Sequence, residues 1–246
     1  MKKAIFLMPI VACSANAAVI YSNPFIVPGG AGEGANLALT DTVPDWRVYT
    51  GATGAIHAAS SRVFITDRAF KNHPTGVYGV IAMDGTAGDA GNPKFTVTTG
   101  LNIDSTAENL SFNWLQGDAN PTALLNFVVQ VDGQWYSSAV DYTTPGQTIG
   151  EFASATSTTA VSQSLVFSSD AAGWNTITFD PGTELTLGGL ATTDLSGPIT
   201  GVGFFTPNST AGTVRVADFN ITAVPEPSTI VMGMAALLGF CVRRQR

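Results

Sequence analysis

The sequence predicts an all-β body, an antiparallel sandwich or barrel, set between two targeting segments. Three observations carry this. Short runs of β-branched and aromatic residues recur through the middle of the chain, separated by Gly, Pro, Asn or Asp. No stretch between them keeps a 3.6-residue apolar period with helix caps. Of 246 residues, 45% are hydrophobic and only 12% charged. An ordinary domain has about 25% charged residues. The chain can therefore bury a core, and its composition is not that of a disordered segment.

The first element is a leader over residues 1–17. Lys2 and Lys3 form a positive start, and Ala4 to Ala12 is an apolar run broken once, at Pro9. Ala15-Asn16-Ala17 places small residues where a signal peptidase reads them, so cleavage is expected before Ala18. The segment Ile10-Val11-Ala12-Cys13 is a weaker alternative, a poor lipoprotein box that would lipidate Cys13.

The body spans residues 18–223. Its expected strands are Val63 to Thr66, Val77 to Met83, Phe95 to Thr98, Leu110 to Leu115, Leu125 to Asp132, Gln134 to Val140, Ser164 to Phe167, Trp174 to Phe179, Ile199 to Phe205 and Thr213 to Thr222. Asp132-Gly133 between two of them reads as a tight hairpin turn. Ala153 to Gln163 is rich in Ser, Thr and Ala and reads as a loop. The body holds 6 basic and 17 acidic residues, a net charge of −11. That excludes a phosphate-backbone partner, which needs clustered Lys and Arg. Both cysteines, Cys13 and Cys241, lie outside the body, which therefore has no disulfide.

The last element, residues 224–246, has three parts: Pro225-Glu226-Pro227-Ser228, an apolar stretch Ile230 to Val242, and the basic Arg243, Arg244 and Arg246. As a helix, 13 residues reach about 20 Å at 1.5 Å each. A hydrocarbon core of about 30 Å needs roughly 20 residues. The segment is thus a short transmembrane helix, placed with thinning or snorkelling arginines, its basic end cytoplasmic. Gly233 and Gly239 weaken it further, which suits a transient anchor. Pro225 and Pro227 predict an extended linker that exposes Glu226.

This three-part tail resembles the PEP-CTERM sorting signal of Gram-negative bacteria. The resemblance implies processing by an exosortase, a membrane-embedded cysteine protease-like transpeptidase. It also implies a final place on the cell envelope, the outer surface or in the exopolysaccharide matrix, with membrane attachment through the helix before processing. The body carries a second resemblance. Tyr21-Ser22-Asn23-Pro24-Phe25, Trp46 and Val214-Arg215-Val216-Ala217-Asp218-Phe219-Asn220-Ile221 follow the order of galactose-binding-like jelly rolls found in carbohydrate-binding modules. That resemblance makes the fold class an antiparallel β-sandwich of jelly-roll type. It also implies a structural Ca²⁺ near the first and last strands, with Asp218 as a contributor. Ile26 stands where the family usually has an acidic residue.

Candidate chemistry is sparse. Calcium needs several oxygen ligands at one point; Asp84, Asp89, Asp118, Asp132 and Asp218 are turn or strand-end carboxylates of the right type. A glycan needs an aromatic platform. Trp46, Trp114, Trp135, Tyr136, Tyr142 and Trp174 are the available rings. Trp135 and Tyr136 are adjacent on a strand and should face opposite sides, so one of them is a stacking candidate while the other is buried. Other Trp residues are expected in the core. Glycoside hydrolysis needs two carboxylates across a cleft, yet Glu33, Glu108, Glu151 and Glu184 lie in apparent loops. His57 and His73 are the only histidines, and no nucleophile elbow accompanies them. Gly29 to Gly34 is Gly-rich, but no helix with a Lys follows it. The sequons at Asn109, Asn208 and Asn220 are chance matches in a bacterial setting. The sequence therefore leads to an exported, non-catalytic matrix or surface protein. The alternatives are a carbohydrate-binding module for a specific glycan and a secreted glycosidase.

Overall fold

The computed structural model describes residues 17–25, 36–38, 43, 45–50, 55–56, 63–66, 80–84, 93–107, 109–118, 124–144, 160–207 and 213–223. Their strands are β1 (Ala18–Asn23), β2 (Asn36–Ala38), β3 (Trp46–Thr50), β4 (Ala55–Ile56), β5 (Val63–Thr66), β6 (Val80–Asp84), β7 (Lys94–Ile103), β8 (Ser111–Asp118), β9 (Asn126–Val131), β10 (Gln134–Ser138), β11 (Val161–Val166), β12 (Trp174–Asp180), β13 (Glu184–Leu190), β14 (Ile199–Thr206) and β15 (Thr213–Ala223). Each expected run overlaps one of them; β11 begins at Val161, inside the stretch Ala153 to Gln163 expected to be a loop. The hairpin β9–β10 turns at Asp132 and Gly133, whose φ values of 50° and 78° are both left-handed. That is the pair of conformations a type I′ turn requires, and Asp-Gly supplies it cheaply.

The strands form two antiparallel sheets, as expected for a sandwich. The first has seven strands in the order β11-β8-β15-β6-β5-β2, with β1 paired to β15. The second has eight, in the order β13-β12-β10-β9-β14-β7-β3-β4. Strand β15 is the hinge of the first sheet. Its start pairs with β6 and its end with β1, while β8 runs along the opposite edge. The register shifts between Ala217 and Asn220, where Asp218 takes a left-handed φ of 49°. This bulge bends β15 from one partner to the other.

The main core lies between the sheets and is largely aromatic. Phe112, Trp114 and Phe219 of the first sheet meet Phe127, Phe204 and Trp46 of the second. Ring centroids lie 4.5 Å apart for Phe112–Phe127 and 5.6 Å for Phe204–Phe219. Burying each such side chain contributes on the order of 2 kcal/mol. The buried tryptophans keep their N–H groups satisfied. Trp46 donates to the Tyr21 hydroxyl at 3.1 Å, Trp114 to Gln116 Oε1 at 3.1 Å, and Trp174 to the Ser168 carbonyl at 2.7 Å. Trp46, Trp114 and Trp174 are therefore core anchors, as expected of them.

A second apolar cluster sits on the far face of the eight-stranded sheet. Side chains alternate along each strand. On β14, Phe204 enters the main core while Phe205 points away; on β9, Val129 goes in and Val128 out. Phe95, Val97, Val128, Trp135, Ile177, Leu185 and Phe205 form this second cluster, with Tyr49 and Phe179 packed against it. No helix of the described residues covers that face. The sheet covers it by curling on itself. Strands β3 and β12 are five places apart in the sheet, which at about 4.8 Å per strand is roughly 24 Å along a flat surface. Yet the Tyr49 and Phe179 rings meet at 4.7 Å, edge to face. Phe95 and Trp135, three places apart, meet at 5.0 Å. The far face is therefore strongly concave. Gly201 and Gly203 of β14 line its floor: a Cβ on Gly201 would stand 2.7 Å from the Trp135 ring, and one on Gly203 2.1 Å from the Thr96 carbonyl oxygen. The Trp135 ring can lean across β14 because Gly201 carries no side chain, and Gly203 lets the β7 backbone come close.

Candidate functional site

The concave face opens at a groove of about 290 Å³ between Tyr49, Phe179 and the hairpin turn. Strand β3 contributes Arg47 and Tyr49, two residues apart and hence on one face. Thr99 comes from β7, Gln130 from β9, Trp135 from β10, Phe179 from the end of β12, and Pro181 from the turn that follows it. Tyr49 and Phe179 are half-buried, each presenting part of its ring, while Arg47, Thr99 and Pro181 are exposed. Gln130 is held by its neighbours: its amide donates to the Gly133 carbonyl at 3.2 Å and its Oε1 accepts from Thr200 Oγ1 at 3.0 Å. One Arg47 N–H donates to the Trp46 carbonyl at 2.9 Å. The groove thus joins ring surface to an amide, a hydroxyl and a guanidinium. Apolar walls with a few placed polar groups are the usual make-up of a small-ligand or glycan site.

The expected site residues fall as follows. Trp135 and Tyr136 do face opposite sides, and Trp135 is the buried one. Trp135 is 5% exposed, because the curl of the sheet draws its ring into the second cluster. Tyr136 is half-buried against the main core. Tyr49 and Phe179 are half-buried too, on the far face, brought together from strands 130 residues apart. Alternation in Trp46-Arg47-Val48-Tyr49-Thr50 is the signal that could have found Tyr49. Nothing local pairs it with Phe179.

Asp132 shapes the hairpin turn and Asp218 the bulge in β15, where Asn220 donates to its carbonyl at 3.2 Å. Asp84 and Asp118 end β6 and β8, beside Thr213 and Val214 of β15. Among the described residues, no three His, Cys, Asp or Glu side chains come together as a metal set. Glu184 is exposed on β13 and accepts from Thr186 Oγ1 at 2.9 Å. Asn109 is an exposed left-handed turn residue. Glu33, Glu108, Glu151, Asp89, His57, His73, Asn208 and the Gly29 to Gly34 run lie outside the described residues. A second concavity, of about 380 Å³, lies by Asp104 and Pro198. The Asp104 carboxylate there accepts from the Thr106 hydroxyl at 2.7 Å and the Thr106 N–H at 2.9 Å, which lowers its pKa. Its oxygen is thereby engaged in shaping its own turn.

The expected leader and the tail would both adjoin the sandwich, at the ends of β1 and β15. Ala17 is exposed and Ala18 is the first residue of β1; Ala15 and the rest of the leader lie outside the described residues. Strand β15 ends at Ala223. Pro225 to Ser228, the expected helix Ile230 to Val242 and the terminal arginines also lie outside them. Among the described residues no helix is long and apolar enough to cross a membrane.

Comparison with known proteins adds one specific finding and two general ones. No curated protein matches the chain. Among solved structures, the enzymatically active domain of tailspike protein 4 from bacteriophage CBA120 is similar at a TM-score of 0.38 and 11% identity, over 72% of this chain and 19% of that one. The chain thus spans about a fifth of that protein's length. The N-terminal cellulose-binding domain of Cellulomonas fimi β-1,4-glucanase C is similar at a TM-score of 0.30 and 14% identity, over 74% of this chain and 90% of that one. The specific finding concerns the tail: residues 223–245 match the PEP-CTERM protein-sorting motif. The match takes in Pro225, Glu226, Pro227, Ser228, Arg243 and Arg244 and begins on the last residue of β15. The chain therefore carries the signal of an exported, exosortase-sorted surface protein of a Gram-negative bacterium.

Proposed function

We propose that this is a non-catalytic surface or matrix protein that holds a neutral polysaccharide segment in the groove of its curled sheet. The observation that carries the reading is the Tyr49–Phe179 pair, part-exposed at the groove and flanked by Thr99, Gln130 and Arg47. Sugar rings present C–H faces that pack on aromatic surface and hydroxyls that bond to amides and hydroxyls. The net charge of −11 on the body disfavours a polyanionic glycan. The non-catalytic reading is supported by the groove lining, which among the described residues includes no carboxylate; glycoside hydrolysis uses two. The sorting motif supports the setting, since it sends its carrier to the surface where such polymers lie.

Affinity electrophoresis of the mature protein through gels containing the host's own exopolysaccharide tests this. The wild type should be retarded. Tyr49→Ala should weaken binding roughly tenfold, which is the 1.4 kcal/mol expected for loss of a contact ring. Leu187→Ser, on the exposed part of β13, should change nothing. A wild type that runs unretarded in every neutral polysaccharide of its host refutes the reading.

A further inference from the structure

Three oxygens converge on one side-chain amide at the end of the β9–β10 hairpin away from its turn. Asn126 opens β9 and Ser138 closes β10. The chain after Ser138 folds back beside Leu125, which exchanges two backbone hydrogen bonds with Tyr142, at 3.1 and 2.7 Å. This return encloses Asn126, which is 3% exposed. Its Nδ2 donates to Asp141 Oδ1 at 2.7 Å, to the Val140 carbonyl at 3.2 Å and to the Ser138 carbonyl at 3.3 Å. An amide nitrogen has only two protons for those three acceptors. The other amide atom, Asn126 Oδ1, is buried and accepts no hydrogen bond. A buried oxygen without a donor is destabilising and uncommon in a native fold. The amide is therefore mismatched at both of its atoms: too many acceptors at the nitrogen, no donor at the oxygen.

We propose that this is a Ca²⁺ site. A half-turn about the Cβ–Cγ bond of Asn126 puts Oδ1 in the place of Nδ2. Oδ1, the Ser138 and Val140 carbonyls and the Asp141 carboxylate then face one point with no proton among them, and a cation is what holds four such oxygens together. Main-chain carbonyls, an amide oxygen and a carboxylate are the ligand mix that Ca²⁺ takes. Val140 and Asp141 are exposed, so water reaches the point and completes the roughly six to eight ligands of the ion. With a single carboxylate, the affinity belongs to the range of extracellular modules, a Kd of about 10⁻⁴–10⁻³ M. The site lies in the eight-stranded sheet, whereas Asp218 belongs to the seven-stranded one. Its ion ties the returning chain to the ends of β9 and β10. Gly133, at the turn end of the same hairpin, lines the groove, so the ion acts on stability and not on the groove lining.

The test begins with protein freed of metal by EDTA and dialysed. CaCl2 is titrated in by calorimetry, and melting temperature is read in parallel. Saturable binding is expected, and about 10 mM CaCl2 should raise the melting temperature by roughly 5 °C. MgCl2 at the same concentration should do much less, because Mg²⁺ demands a tighter octahedral shell. Asp141→Asn removes the one charged ligand and should weaken Ca²⁺ binding at least about tenfold, while Asp218→Asn should bind as the wild type does. Asn126→Asp is the second variant. It sets a carboxylate against the other oxygens, so in EDTA it should melt below the wild type, and CaCl2 should raise it by more. No saturable Ca²⁺ binding, equal rises with Mg²⁺ and Ca²⁺, or undiminished binding in Asp141→Asn would each overturn the site. So would an Asn126→Asp protein that melts lower and gains nothing from CaCl2.

Discussion

Gly203→Ala tests the close approach of β14 and β7 in the floor of the eight-stranded sheet. A Cβ there would sit 2.1 Å from the Thr96 carbonyl oxygen, 2.7 Å from Val97 Cα and 2.8 Å from Val97 Cγ1. The first two are backbone atoms of β7, which cannot rotate away. Strands β14 and β7 would have to part by about an ångström, straining ladder bonds beside Gly203 and Phe204. Overpacking of this kind costs about 1–3 kcal/mol, and each weakened hydrogen bond about 1 kcal/mol more. A total of roughly 3–4 kcal/mol lowers the melting temperature of a body of this size by about 10 °C. Gly201→Ala is the internal comparison. Its Cβ would meet Trp135 Cη2 at 2.7 Å and the Thr98 carbonyl oxygen at 3.0 Å. The indole can swing, so the cost should be nearer 1–2 kcal/mol. Urea unfolding of the mature protein, followed by tryptophan fluorescence, reads both. Gly203→Ala within about 0.5 kcal/mol of wild type, or less costly than Gly201→Ala, would refute the glycine floor.

Three further outcomes are expected. Replacing Glu226 and Pro227 together should leave the tail attached, so that intact mass runs through Arg246; unchanged processing would remove the sorting motif from the account. Burial raises the pKa of Tyr142. A phenol raised in the folded state favours the fold below its ordinary value of about 10 and loses that contribution as pH rises through the folded value. Melting temperature should therefore fall more steeply above about pH 10 in wild type than in Tyr142→Phe; parallel curves would refute this. Asp218→Asn keeps a residue that tolerates the left-handed bulge while deleting the charge. Its stability should stay within about 1 kcal/mol of wild type with or without chelator. A loss confined to calcium-containing buffer would instead make Asp218 a ligand.

Much of this fold was legible because half-buried strands announce themselves by alternation and their ends by turn chemistry. Asp132-Gly133 located a hairpin to the residue, and Val63–Thr66 is β5 as read. Strands β1 to β4 and β13 were not among the runs read, and for three of them the reason is physical. β2 and β4 have three and two residues, too few for a period. β13 carries Gly188 and Gly189, which resemble loop, yet Gly188 packs closely against the Thr176 side chain of β12. The site was less legible than the fold. Alternation assigned opposite faces to Trp135 and Tyr136 correctly, then equated the face away from the main core with solvent. That step fails when a sheet curls. The residues that meet at the groove come from β3 and β12, and only the closed register of the whole sheet brings them together.

The same curl lets the sheet cover its own far face, and it entangles binding with stability at the groove. An antiparallel sheet ordinarily turns one face to water. Here Phe127-Val128-Val129 is buried on both sides, because the far face closes on its own rings. Tyr49 and Phe179 are the rim of that closure, so truncating either must loosen the cluster as well as the groove. A loss of binding in Tyr49→Ala could then follow from unfolding alone. Ligand-induced stabilisation separates the two. At a glycan concentration 100 times Kd, a true site raises unfolding free energy by about 2.7 kcal/mol. Thr99 lines the groove, is exposed and belongs to neither cluster. Thr99→Val should therefore keep the unliganded melting temperature while losing part of the glycan-dependent rise. If Thr99→Val gains as much from glycan as the wild type, the groove is not where the polymer lies, and the ring cluster is structure alone.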